Sequence, residues 1–293
     1  MSSTTWYRGI VVGVDGSGDS LGALDWAARA ADVHEARLTV VATHATPPAP
    51  VPGFGDTVRD TRDEARRAAQ AARDRLAGRR PGGREVEVVV LPGAPAHVLS
   101  QRSRTCDLVV VGRRGLDALD RVLVGSTSSA LAASSPGTVV VVPAGATPDD
   151  PSLIRVGVER DDEPDVLGTA FAEAAARGCP LEVLHVVGTD PVGSALHQAD
   201  PLAASWHEAA REDLADQVAR WSEKYPLVSC SVVIRRGDPA GVLLEDLTPG
   251  DLVVVGGRRH PTVLGRMLRS VPDAVLRGAP CPVLVVHSRR PAE

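Results

Sequence analysis

Short runs of β-branched apolar residues alternate along the chain with longer stretches of helical spacing. Residues 10–14, 38–41, 86–90, 108–111 and 139–142 are too short for buried helices and are bounded by polar or glycine-rich segments, so each reads as a buried strand. Between the first two, Leu21, Leu24, Ala28 and Ala31 fall on one helical face, with Asp19 or Ser20 as the cap. Residues 46–55 form a proline-rich loop and 58–76 read as a long, arginine-rich, solvated helix. Pro95 suits the first turn of a further helix, and residues 128–133 form a short alanine-rich one. A strand and helix alternating in this way predict a parallel sheet with helices on both faces.

The same pattern then starts again. After Pro143 the stretch AGATPDDPS is rich in turn formers and reads as a linker, and an offset of 144 residues aligns the second half of the chain with the first. Ile10 matches Ile154, Gly93 matches Gly237, Asp107 matches Asp251, Gly112 matches Gly256, Ser126 matches Ser270 and Val139 matches Val283. The chain is therefore a duplication of one α/β unit, divided into residues 1–145 and 152–293, each expected to carry five parallel strands. The last strand of each unit reads as an edge, whose open hydrogen-bonding groups invite pairing, so the two halves are expected to join through 139–142 and 283–286 as a pseudo-twofold dimer.

Composition narrows the function classes. At 293 residues the chain suits two domains, and a net charge of −5 argues against a nucleic-acid binder. Lys224 is the only lysine, so a phosphate loop that depends on lysine is excluded. The opening residues lack a signal-peptide pattern and no apolar run reaches the roughly 18 residues of a membrane helix, which predicts a cytoplasmic protein without a membrane partner. Cys106, Cys179, Cys230 and Cys281 are scattered without CxxC spacing and read as buried thiols rather than metal ligands. No dinucleotide fingerprint, HExxH or nucleophile–histidine spacing occurs, so no catalytic residue and no metal site is assigned.

One stretch carries chemistry. The strand 108–111 runs into Gly112, Gly115 follows, and nine residues later Gly125, Ser126 and Thr127 precede the short helix. The first N–H groups of a helix lack internal partners and, with the helix dipole, favour an anion, while glycines let backbone approach it. A hydroxyl at Ser126 would cap the helix or bond a phosphate oxygen, and Arg113 and Arg114 would add charge. Gly112 and Gly125 equally suit plain turns. By the 144-residue offset the second half has Glu159 for Asp15, Arg259 for Gly115 and Arg269 for Gly125, which predicts one good site, in the first half.

These motifs, GxxG, nine residues and GS, together with the opening IVVGVDGS, DLVVVGRRG and the closing APCPVLVV, resemble the universal stress protein family in its tandem, two-domain form, as found in actinobacteria. The resemblance implies two Rossmann-like domains of the adenine nucleotide alpha hydrolase-like kind. It implies ATP, with or without Mg²⁺, as the ligand: Gly13 and Asp15 facing ribose or base, Thr43 edging the adenine if Ala42 matches His185, Gly112, Arg113 and Gly115 along ribose and phosphates, and Gly125, Ser126 and Thr127 on the phosphates. With no general base in view, such a site fits a nucleotide-dependent regulator of stress or dormancy better than an enzyme; a slow ATPase or a phosphoryl or adenylyl transferase, and a nucleotide-free interaction module, are the alternatives. The implied partners are the nucleotide, an unidentified protein and a second copy of the chain.

Overall fold

Valine, isoleucine and leucine in unbroken runs bury both faces of a strand, which is what a parallel sheet sandwiched between helices requires. The computed structural model describes residues 7–45, 55–115, 124–147, 149–159, 164–188, 201–257 and 271–287. In chain order the first half contains β1 (Gly9–Gly13), α1 (Gly18–His34), β2 (Arg37–His44), α2 (Gly55–Arg75), β3 (Glu87–Pro92), α3 (Pro95–Arg102), β4 (Leu108–Gly112), α4 (Ser126–Ser134) and β5 (Thr138–Val142). The second contains β6 (Ile154–Gly157), α5 (Pro164–Arg177), β7 (Leu181–Gly188), α6 (Pro201–Lys224), β8 (Cys230–Gly237), α7 (Pro239–Leu244), β9 (Leu252–Gly256), α8 (Val271–Gly278) and β10 (Val283–Val286).

The halves join through their last strands, as expected, and make one sheet. One ten-stranded sheet runs β3-β2-β1-β4-β5-β10-β9-β6-β7-β8, parallel within each half and antiparallel only where β5 meets β10. Val139, Val140 and Val141 pair with Val285, Leu284 and Val283, and all six are at most 2% exposed. The strands read as edges thus become the centre, where each buried aliphatic side chain contributes about 1.5–3 kcal/mol. Alternate residues of each strand feed two cores that both cross this seam. One contains Ile10, Val12, Val140 and Ile154 with helices α1 and α5, the other Val11, Val109, Val141 and Val253 with the residues of α3, α4, α7 and α8.

The sequence offset has structural reasons. Gly93 and Gly237 both adopt positive φ, +127° and +150°, where a side chain is strained. Asp107 accepts hydrogen bonds from the N–H groups of Arg8 and Gly9, and its counterpart Asp251 accepts one from the Ser152 hydroxyl, so in both halves a carboxylate before the fourth strand ties down the chain entering the first. Gly13 lies opposite Val41 while Gly157 lies opposite Leu184, so Ala42 does match His185, one residue short of the general offset.

Two helix starts differ from expectation. Ser17, in extended conformation, caps α1 by accepting from Ser20 N–H, in place of Asp19 or Ser20; the Asp15 carboxylate accepts from the Ser17 N–H and hydroxyl and holds that cap in position. The alanine-rich helix begins at Ser126 rather than 128, because the chain is already turned by Gly125. Cys106, Cys179 and Cys281 are buried and Cys230 half-buried; burial pushes the Cys281 thiol up to about 12, which leaves it protonated and unreactive.

The halves are fastened on one face by a buried ionic cluster. Glu173 on α5 stands 3.3 Å from Nε2 of His34 on α1 and accepts a 2.8 Å hydrogen bond from Arg177, with both acid and guanidinium side chains wholly buried. Tyr7 packs edge-on against His34 at 4.6 Å between ring centroids, and Arg177 lies 5.0 Å over the Trp26 ring. Asp150 in the linker links Arg177 to Arg29. Burial alone would raise the Glu173 carboxyl, but His34 and Arg177 outweigh it and hold the group far below the ordinary carboxylate range.

Candidate functional site

The strand order reverses between β1 and β4, whose neighbours β2 and β5 lie on opposite sides. In open parallel sheets the crevice outside the carboxyl ends at such a point is where ligands bind. Three segments converge there: the turn after β1, the loop leaving β4, and the start of α4.

Each is positioned by close contacts. A Cβ on Gly112 would lie 2.7 Å from the carbonyl carbon of Asp19 and 2.9 Å from the Ser20 nitrogen, so β4 can pass the first turn of α1 only as glycine. A Cβ on Gly115 would lie 2.5 Å from Asp15 Oδ2, so the loop after β4 rests on the carboxylate at the end of β1. Asp19 accepts hydrogen bonds from the Arg114 backbone N–H at 3.2 Å and from its Nε at 3.3 Å, a second tie between α1 and this loop. The loop closes on itself where the Arg113 carbonyl accepts the Gly125 N–H at 2.8 Å and the Ser128 hydroxyl at 2.9 Å.

The start of α4 is distinctive. Gly125 is its N-cap, with φ −62° and ψ 154°, and no side chain caps the helix. The expected hydroxyl cap at Ser126 is therefore not made; Ser126 is exposed, Thr127 half-buried, and among the described residues the first N–H groups of the helix have no side-chain acceptor. Gly125 is also tightly fitted, since a Cβ there would stand 3.2 Å from the Arg113 carbonyl oxygen.

Of the residues singled out by sequence, Asp15, Gly112, Gly115, Gly125, Ser126 and Thr127 fall on these three segments. Gly13 ends β1 beside them, but its lack of a side chain answers to packing: a Cβ would lie 2.7 Å from Leu99 of α3. Thr43 lies within β2, opposite Leu91, because that strand continues to His44 instead of ending at 41. Arg113 departs from expectation. Its guanidinium reaches across the seam and donates to the carbonyl oxygens of Ala279, at 2.9 Å, and Arg277, so only its backbone serves the loop. Burial and the nearby Arg114 lower its pKa, and the free carbonyls at the end of α8 are what hold it.

Sequence reasoning missed Ser128 as the tether of α4 and Asp19 as the acceptor for Arg114. A signal existed for the latter, an acid in the first turn of a helix whose cap lay two residues earlier. In the second half Glu159 is exposed at the place of Asp15, while Arg259, Arg269 and Ser270 lie outside the described residues; so do Asp117 and Asp120, the acids that follow Gly115 in the first half. His185 donates through Nδ1 to the Val158 carbonyl at 2.9 Å, a structural contact.

Comparisons with known proteins agree with this picture. The family model described as "Universal stress protein family" matches residues 7–143 and again 154–287. A universal stress protein of Mycolicibacterium smegmatis is 35% identical over 305 residues, covering 99% of this chain and all of the relative. One from Mycobacterium tuberculosis H37Rv is 34% identical over 300 residues, covering 98% of this chain and 99% of its own. Among solved structures, a universal stress protein from Archaeoglobus fulgidus superposes with a TM-score of 0.66 at 17% identity, over 96% of this chain and 98% of that one, which shows a shared fold.

Proposed function

The chain belongs to the universal stress protein family, and from that premise we propose that its first half binds ATP in the crevice at the carboxyl ends of β1 and β4, acting as a nucleotide-dependent regulator in stress or dormancy response. The observation that carries the reading is the start of α4: a helix opened by glycine, without a side-chain cap, directly after the loop that rests on Asp15. Uncapped N–H groups and the helix dipole favour phosphate, and the missing Cβ of Gly125 leaves the backbone accessible. The residues fit a triphosphate held by backbone and hydroxyls: Ser126 and Thr127 on the phosphates, Gly112 and Gly115 along the ribose, Asp15 accepting from ribose hydroxyls, Thr43 towards the base.

Such groups stabilise bound phosphate about equally before and during reaction, so they favour occupancy over turnover. Among the described residues the carboxylates at the crevice support the fold, Asp15 accepting from Ser17 through Oδ1 and Asp19 accepting from Arg114. Hydrolysis is expected far below the typical enzyme turnover of about 10 per second. Calorimetric titration with ATP, ADP, AMP and cyclic AMP, with and without Mg²⁺, tests this. We expect one site per chain, lost in Gly125→Arg. Two equivalent sites per chain, or rapid hydrolysis at saturating ATP, would overturn the reading.

A further inference from the structure

At the opposite end of the first half, one strand length or about 15 Å from the crevice, the amino ends of β1, β2 and β3 and the end of α3 line an open cleft of about 770 Å³. Its lining includes Arg8, Arg37, Arg84 and Arg102. Among the described residues none of these four makes an ion pair or a side-chain hydrogen bond, whereas Arg29, Arg75, Arg79 and Arg114 in the same half are all paired. The lining also holds three carboxylates, Glu35, Glu87 and Asp107, fewer than the arginines; Asp107 accepts from the N–H groups of Arg8 and Gly9, and Glu87 accepts from the Thr39 hydroxyl. Guanidinium groups gathered round one cleft without protein acceptors match the planar, two-oxygen geometry of phosphate and carboxylate.

The second half shows that the fold does not require this arrangement. There the four arginines are replaced by Ser152, Pro180, Val228 and Asp246, none of them cationic. The corresponding space is filled from within. Arg155, at the position of Val11, is buried and donates to the Leu243 and Glu245 carbonyls at 3.1 and 2.6 Å and to Glu182, which stands opposite it where Thr39 stands opposite Val11. One copy thus fills the place of Val11 with a guanidinium held by internal acceptors; the other keeps valine there and, among the described residues, surrounds the space with arginines that make no ion pair.

We propose that this cleft is a second ligand site, for a small organic anion bearing phosphate or carboxylate groups. It is independent of nucleotide binding at α4. The test is calorimetric titration of the full chain with two separate probes, pyrophosphate and citrate. Saturable one-to-one binding of at least one probe is expected, the pyrophosphate arm marking a phosphorylated ligand and the citrate arm a carboxylate one. Arg37→Glu with Arg84→Glu, both at exposed positions, should weaken binding at least about tenfold, since each charge-assisted hydrogen bond carries that much or more. Val11→Arg with Thr39→Glu, which recreates the internal plug, should do the same, while Gly125→Arg should leave the affinity unchanged. Saturation by neither probe, wild-type affinity in both double variants, or loss of binding in Gly125→Arg would each overturn the proposal.

Discussion

Gly13 and Gly157 end the first strands of the two halves and are glycine for the same reason: a Cβ on either would meet a leucine of a packed helix, Leu99 of α3 at 2.7 Å or Leu243 of α7 at 2.9 Å. The residues two places further on are not alike. Asp15 supports the loop at Gly115 in the first half, whereas the second has Glu159 and, by the sequence offset, Arg259. What the halves share at this end of the sheet is packing, and what they do not share is the material of a binding site. Duplication thus supplies an internal control, since a residue kept in both copies with the same contact is explained by the fold.

The seam extends the comparison. Counting back from the left-handed residue that ends each helix, Glu35 at φ 51° and Gly178 at φ 64°, His34 corresponds to Arg177 and Ala30 to Glu173. The two helices therefore present like residues to each other, and one copy alone adds the acid that both require. Glu173→Gln should have the largest effect of any change considered, because it leaves the buried Arg177 with only the more distant Asp150, at 3.6 Å, as counter-charge. A loss of about 3–5 kcal/mol in urea unfolding is expected; a near-neutral effect would show that the cluster is not the fastening. The sign of the pH dependence comes from the depressed carboxyl. Its contribution is complete above the unfolded value of about 4.3 and is lost as pH falls through the lower folded value. The stability difference between wild type and Glu173→Gln should stay level from pH 7 to 5 and shrink under acid; a difference that grows on acidification would contradict the assignment.

Gly13→Ala and Gly157→Ala sharpen the first comparison. Each forces a leucine to move in a packed core, so both should cost about 1–3 kcal/mol, and by similar amounts. Gly112→Ala should exceed them, because its obstacle is the backbone of α1 rather than a movable side chain. Unequal costs at Gly13 and Gly157 would mean that the first serves something besides packing.

The fold was legible because its determinants are local and repeated: branched apolar runs, turn glycines and one offset. The joining of the halves was legible too, since an apolar edge strand states its own need. What escaped was set by contacts distant in sequence. Arg113 adjoins the glycine motif, yet its side chain answers to Ala279, 166 residues away. Thr43 was placed after a strand that in fact runs to His44 through pairing with β3, which no local pattern prescribes. The ionic cluster left only a faint trace, an acid and an arginine four apart in the otherwise apolar FAEAAAR; the first half supplies His34, and no linear reading joins them.

The smallest expected effect is the most diagnostic of the site. Asp15 accepts two hydrogen bonds from Ser17, so Asp15→Ala removes support for the cap of α1 and should cost about 1 kcal/mol of stability. A purely structural carboxylate would do no more than that. If it also faces the ribose, the variant should bind ATP about tenfold or more weakly, the worth of a hydrogen bond to a charged group, and any trace of hydrolysis should fall in parallel with occupancy. Glu159→Ala provides the matched control in the second half and should leave ATP affinity unchanged. Asp15→Asn separates the two roles further, because the amide oxygen can still accept from Ser17 while the charge is gone: stability should largely return and affinity should not. Recovery of both together would reduce Asp15 to a helix-cap support and remove it from the nucleotide site.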